Sequence, residues 1–228
     1  MTRYAIYFVP SADSPLWQFG CAAIGYDSLA CTDVAFHDHA FYRQDAAIDW
    51  TSDPRRYGFH ATLKPPFALA DGITIDELEQ AAISFVQKRA AFQVAQLKIA
   101  AIGRFLALIP SDGSQDLDCL AADCIRTFEP FRAPLTTADR ERRLKTQLSP
   151  QQIENLDHWG YPYVFDEFRF HMTLTGRLPV TEIDNALASL RELYCPIDQP
   201  VDFDGIAICE QPDRSSRFFV RRRLSFAS

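Results

Sequence analysis

The pattern Phe-His-x-Thr-Leu occurs twice in this 228-residue chain, at Phe59-His60-Ala61-Thr62-Leu63 and at Phe170-His171-Met172-Thr173-Leu174. The copies lie 111 residues apart, and their surroundings repeat with them. Upstream, Val9-Pro10-Ser11 closes a β-rich run (residues 4–9) and matches Ile109-Pro110-Ser111, 100 residues on; a short Asp- and Ser-containing stretch and a helical pattern follow each. Downstream, each His-x-Thr run leads into a helix opening near Thr74 or Thr181. An Ile-rich strand and a partner then follow in both, residues 97–102 with 104–108, and 203–208 with 217–221. A repeated order of elements restricts the chain to two copies of one plan. The expectation is an α+β fold: one domain over residues 1–228 with two pseudo-symmetric duplicated lobes, antiparallel sheets, covering helices and a central cleft. The lobes are expected at 1–102, carrying His60 and Thr62, and at 103–228, carrying His171 and Thr173. Residues 133–160 are an insertion without a counterpart.

Local signals agree with this plan. Ser14-Pro15 offers a cap and a proline at the first helical position, ahead of Leu16, Trp17, Phe19, Ala23 and Ile24 at helical spacing. Thr74 and Glu77 are spaced as a capping box for a helix running to about Arg89. Residues 117–128 read as a further helix, and Gly103 as the turn between two strands. Residues 26–56 lose apolar periodicity and read as a long connection with a short helix near 42–50. The insertion carries Arg140, Arg142, Arg143 and Lys145, then the helix opener Ser149-Pro150, and is expected to pack as a helical excursion beside the cleft.

Side chains alternate along a strand. Phe59, Ala61 and Leu63 therefore share one face, opposite His60, Thr62 and Lys64. In the second copy Phe168, Phe170, Met172 and Leu174 oppose Arg169, His171, Thr173 and Thr175. Packing the lobes about a pseudo-twofold would bring two imidazoles and two hydroxyls together. One neutral His can take a proton from an attacking oxygen while a protonated one donates to a leaving oxygen, roles that suit a group with an ordinary pKa of about 6.5. Hydroxyls can donate to the non-bridging oxygens where negative charge gathers. Such chemistry at phosphorus needs neither metal nor cofactor. Lys64, Arg169 and Thr175 extend the polar faces and are candidates for binding phosphate oxygens.

At these residues the sequence resembles the 2H phosphoesterase superfamily, marked by two His-x-Thr/Ser motifs, each followed by an apolar residue, one per lobe of a duplicated α+β fold. The wider run Arg56-Tyr57-Gly58-Phe59-His60-Ala61-Thr62-Leu63-Lys64-Pro65-Pro66-Phe67 and the N-terminal Arg3-Tyr4-Ala5-Ile6-Tyr7-Phe8 look like the bacterial branch associated with phosphonate-utilisation operons. The resemblance covers nearly the whole chain. It implies His60, Thr62, His171 and Thr173 as the catalytic set and a cyclic phosphate, a 2′-5′ linkage or a related cyclic phosphodiester as the substrate. A phosphonate setting implies a cyclic ribose phosphate.

Charge narrows the partners. A net charge of −7 disfavours broad capture of duplex nucleic acid or anionic lipid, so the expected partner is a small phosphorylated substrate, with no stable nucleic-acid complex. A 2′-5′ RNA phosphodiesterase or ligase, or a noncatalytic phosphate-ligand module, are the alternatives. No secretion signal or apolar run of membrane-spanning length is visible, and six scattered cysteines read as reduced thiols, which together suggest a cytoplasmic setting. His37-Asp38-His39 lacks further evident ligands and reads as a surface loop rather than a metal pair. Arg221-Arg222-Arg223 reads as charge protecting an edge strand, with Arg222 pointing away from its neighbours. Tyr7, Tyr57 and Tyr163 read as core aromatics before ligand contacts.

Overall fold

In the computed structural model, which describes residues 1–227, the chain runs β1 (Arg3–Phe8), α1 (Pro15–Ile24), β2 (Tyr26–Asp27), β3 (Thr32–Asp33), α2 (Ala47–Trp50), α3 (Ser52–Tyr57), β4 (Ala61–Phe67), α4 (Ile75–Val86), β5 (Phe92–Val94), β6 (Leu97–Ile102) and β7 (Phe105–Pro110). It continues through α5 (Gln115–Phe128), α6 (Thr137–Leu144), α7 (Pro150–Trp159), β8 (Met172–Thr173), α8 (Ile183–Tyr194), β9 (Val201–Phe203), β10 (Gly205–Gln211) and β11 (Phe219–Ser225). The helices start where their caps dictate. Ser14 accepts from the Trp17 N–H with Pro15 in the first turn, Thr74 and Glu77 complete a reciprocal capping box, and Ser149 and Gln152 do the same for α7.

Seven strands form one sheet in the order β11-β10-β1-β4-β8-β7-β6, and every adjacent pair is antiparallel. The order reads symmetrically about its centre. β4 and β8 meet there, β1 and β7 flank them, and β10 and β6 lie outside those; β11 has no partner across the centre. The helices repeat likewise: α1 and α5 follow β1 and β7, while α4 and α8 follow β4 and β8. α4 packs on β10 and β11, α8 on β6 and β7, and α5 on β4. Residues from both sides merge into one apolar core, where Phe203 meets Phe8, Phe92 and Phe170 ring to ring.

The two halves of the sequence are interleaved in this sheet. Residue 102 closes β6, which forms a hairpin with β7 through Gly103 (φ +61°), so the 102/103 division falls inside a hairpin. β10 and β11 come from the C-terminal half yet pair beside β1. The expected match of residues 104–108 with 217–221 also fails in space, because β7 stands beside the centre while β11 is an edge strand. The insertion is helical, as α6 and α7, and is tied to the loop after β10 by Arg214 on Asp139. Among the described residues no helix is long and apolar enough to cross a membrane.

On β11 the alternation expected of the arginine run is broken by a bulge opposite Ile208 and Cys209, so Arg221 and Arg222 both reach Glu79. Arg221 also meets Glu210, and Arg223 pairs with Asp204. The run is held by carboxylates at the sheet edge.

Candidate active site

One register decides the geometry of the centre. Ala61 on β4 pairs with Met172 on β8 in antiparallel sense, and both side chains are buried. The residues on either side must then face each other on the opposite face of the sheet: His60 across from Thr173, and Thr62 across from His171. All four are only partly buried. Directly opposed residues bring their β-carbons within about 4.5–5.5 Å, and diagonal neighbours lie about 7–8 Å apart. The two imidazoles therefore occupy opposite corners of a small polar square, with a hydroxyl at each remaining corner.

The chain around His60 is built to hold its ring. α3 ends at Gly58, whose φ of +77° and ψ of 170° belong to a region that side chains other than glycine essentially do not enter. A β-carbon there would also lie 2.6 Å from Ser28 Oγ. This turn aims the Gly58 carbonyl at His60, whose Nδ1–H donates to it at 2.8 Å. Phe59 is fully buried against α1, where Gly20 lets its ring approach so closely that an alanine β-carbon would meet it at 2.0 Å. Tyr7, across from Thr62 on β1, stacks on the His60 ring at 3.7 Å between centroids. With Nδ1 committed as donor, His60 Nε2 presents a lone pair, and Thr62 Oγ1 donates to it at 3.1 Å. Burial pulls the His60 pKa down to about 4; the Gly58 carbonyl acts the other way and nearby His171 adds to the lowering.

His171 uses the same device with a different residue. Its Nδ1–H donates to the Arg169 carbonyl at 2.8 Å, again two residues upstream. Phe105 stands 5.9 Å from its ring, tilted by 54°.

Two concavities flank the square. One, of about 190 Å³, is lined by Thr62, His171, Pro65, Ile125, Tyr161 and Tyr163 among others. The other, of about 360 Å³, is lined by His60, Thr173, Asp53, Tyr57, Phe105 and Arg177 among others. Asp53, Tyr161 and Arg177 carry no sequence signal: Asp53 comes from the short helix α3 and the other two from irregular segments that only the fold brings beside β4 and β8.

Of the three binding residues expected on the extended polar faces, two are turned elsewhere. Tyr7 pairs with Thr62 and Ile6 with Lys64, so β4 carries a bulge at Leu63 that breaks the alternation. Lys64 is buried under α5, donating to the Glu129 carboxylate at 2.8 Å and the Ile125 carbonyl at 3.2 Å. Thr175 is likewise fully buried, because Leu106 O accepts from both Leu174 N and Thr175 N and the strand pairing ends there. Its hydroxyl accepts from Leu106 N and donates to Gly176 O. Arg169 alone keeps an exposed side chain at the cavity rim, folded back on the Asp166 and Phe168 carbonyls. His37 Nε2–H donates to the Phe19 carbonyl at 3.0 Å, His39 caps a 3-10 turn, and among the described residues no three His, Cys, Asp or Glu side chains gather to hold a cation.

Comparison with known proteins adds the following. A family model described as "Protein of unknown function (DUF1045)" matches residues 62–219, a span holding Thr62, His171 and Thr173 and beginning just after His60. The chain is 36% identical over 232 residues to a protein of Janthinobacterium sp. (strain Marseille) named ribose 1,5-bisphosphate phosphokinase PhnN, covering 100% of this chain and 51% of that protein. A protein of the same name from Laribacter hongkongensis (strain HLHK9) is 33% identical over 221 residues, covering 96% and 51%. The chain thus spans about half the length of the curated relatives it matches. Among solved structures it resembles E. coli LigT complexed with ATP, with a TM-score of 0.43 at 10% identity over 100% of this chain and 99% of the other.

Proposed function

The chain belongs to the DUF1045 family, and we propose that it hydrolyses a small cyclic phosphodiester of the cyclic ribose phosphate or 2′,3′-cyclic nucleotide type by two-imidazole acid–base catalysis. The observation that carries this reading is the Ala61–Met172 register, which fixes His60, Thr62, His171 and Thr173 on one face. With phosphorus over the middle of the square, water attacks in line with an ester bond. His60, held neutral, takes the proton of the attacking water on Nε2 as the new P–O bond forms, once bound substrate draws the Thr62 hydroxyl away from that nitrogen. His171, whose Nδ1–H is spent on the Arg169 carbonyl, donates the Nε2 proton to the departing ester oxygen, which leaves as an alcohol. Proton exchange with solvent restores both rings. Thr62 and Thr173 donate to the non-bridging oxygens as charge accumulates there. An arriving anionic phosphate raises the lowered pKa of His60, which makes it a stronger base once substrate is bound.

The names of the longer relatives suggest a setting. A phosphate ring spanning two adjacent oxygens of a ribose that already bears a phosphomonoester opens to a ribose bisphosphate, the class of compound named in those relatives. In that setting the reaction belongs to phosphonate metabolism, with this chain supplying a sugar bisphosphate to the kinase.

The test is a substrate panel of cyclic ribose phosphates, 2′,3′-cyclic nucleotides and 2′-5′-linked RNA oligonucleotides, run with chelator on wild type, His60→Ala and His171→Ala. Each substitution is expected to lower turnover about 10²–10⁴-fold with circular dichroism unchanged. Substrates that bind without being opened across a broad pH range would point to the noncatalytic module, and selective cleavage of the RNA to the 2′-5′ phosphodiesterase.

A further inference from the structure

Beside the polar square stands positive charge that no carboxylate among the described residues answers. Arg3, at the start of β1, gives its guanidinium to the side-chain oxygen of Gln211 and lies over the Phe218 ring at 5.6 Å. Phe218 stacks on Tyr57 at 5.5 Å, and Tyr57 stands 6.3 Å from His60. From the insertion, Arg143 on α6 lies over the Tyr161 ring at 4.9 Å, and Tyr161 lines the cavity shared by Thr62 and His171. The Arg143 Nε is buried without a hydrogen-bond partner among the described residues.

The neighbouring arginines each have a carboxylate partner. Arg140 pairs with Asp157, and Arg142 and Arg214 both take Asp139. Asp139 is the carboxylate that Arg143 feels most closely, and it is already shared by those two. Burial is the largest influence on both Arg3 and Arg143, pulling each below the ordinary guanidinium range, and Tyr57 lies in the field of both. A desolvated guanidinium without a counter-charge costs free energy, and a chain of net charge −7 has carboxylates in excess to supply one. A bound anion resolves the imbalance.

We infer that Arg3 and Arg143 form an anion subsite beside the two imidazoles, taking a phosphomonoester that the substrate carries in addition to the phosphate undergoing ring opening. Only the statement that the substrate's other phosphate is opened rests on the proposed hydrolysis. The planar guanidinium fork suits a terminal phosphate, and the faces of Phe218 and Tyr161 hold the two forks in place. The insertion thereby gains a role: α6, anchored through Asp139 to Arg214, delivers half of the subsite. A cyclic nucleoside phosphate without a second phosphate would leave both arginines unused.

Calorimetric titration of the whole chain at low salt with ribose 5-phosphate, ribose and inorganic phosphate tests the subsite without any ring to open. Wild type is expected to bind ribose 5-phosphate at least about tenfold more tightly than ribose, the scale of one charge-assisted hydrogen bond. Arg143→Met and Arg3→Met should each lose about tenfold, and Arg143→Lys should recover part of the loss. α6 contributes no buried residue, so Arg143→Met decides the matter even if thermal melts show Arg3→Met misfolded. Equal affinity in wild type and Arg143→Met, or no preference over ribose, overturns the subsite whether or not the enzyme turns over. Inorganic phosphate binding as tightly as the ester overturns its assignment to a sugar phosphate. Intact, arginine-dependent binding with no ring opened in the substrate panel overturns the hydrolysis and leaves the subsite standing.

Discussion

The two His-x-Thr segments are near copies in sequence and unlike in setting. β4 runs seven residues and is paired along its length with β1, whereas β8 is two residues long. Tyr7 lies flat on His60, while the nearest ring to His171 is the tilted Phe105. Both rings are aimed by a carbonyl two residues upstream at 2.8 Å, but the first belongs to a glycine in a backbone region reserved for glycine and the second to an exposed arginine. Duplication supplies the symmetric set of groups, and unequal packing then makes their settings differ. In the proposed hydrolysis the neutral His60, under the Tyr7 ring, takes the proton and His171 gives one.

The sharpest way to break this comparison is at the two anchoring carbonyls. Gly58→Ala forces a β-carbon into a conformation that costs about 1–3 kcal/mol and onto Ser28 Oγ at 2.6 Å. It should lower the melting temperature and reduce turnover about 10²-fold by turning the His60 ring. Arg169→Ala keeps its carbonyl and should leave stability nearly unchanged. Equal loss of stability in the two variants would show that the anchors are equivalent after all.

A smaller effect probes the cause of His60's low pKa. If the flat contact with Tyr7 keeps water from the ring, Tyr7→Leu admits water and raises the His60 pKa from about 4 toward its ordinary value. A base with a higher pKa is protonated over a wider acid range, so the acid limb of kcat/KM should move up in pH. Activity at pH 5 should then fall about tenfold relative to neutral pH. Tyr7→Phe keeps the stack and should keep the limb. A limb that stays near 4 in the leucine variant would assign the desolvation to Tyr57 and the surrounding core instead.

What could be read from the sequence follows from which forces are local. The caps at Ser14, Thr74 and Ser149 rest on neighbours a few residues away, and they stand as read. Lys64, Thr175 and Arg222 were misdirected by a single cause: strict alternation fails at a bulge or strand end, and these are set by the partner strand's register. The interleaving of β6 and β10 between lobes depends on long-range pairing, which no window of sequence contains. Arg3 and Arg143 could be seen as charges but not as a pair, because they lie 140 positions apart and each is held over a ring of its own, Phe218 for one and Tyr161 for the other.

The smallest expected effect is on stability, and its sign follows from the same contrast. His60 has a folded-state pKa of about 4 against an ordinary value of about 6.5 for the unfolded chain. Between those values the unfolded state binds the proton and the folded state does not, so stability falls as pH drops from about 6.5 to about 4 and is fully present above that window. Burial also lowers the pKa of His37, which contributes with the same sign. Denaturant titrations of wild type and His60→Gln across pH 4–7 isolate the His60 share: the difference between them should change by about 1–2 kcal/mol over the window, with His37→Gln as the control for the remainder. Parallel curves for wild type and His60→Gln would mean that His60 takes its proton as readily folded as unfolded. The two imidazoles would then be alike in setting as well as in sequence, and either could serve as the base.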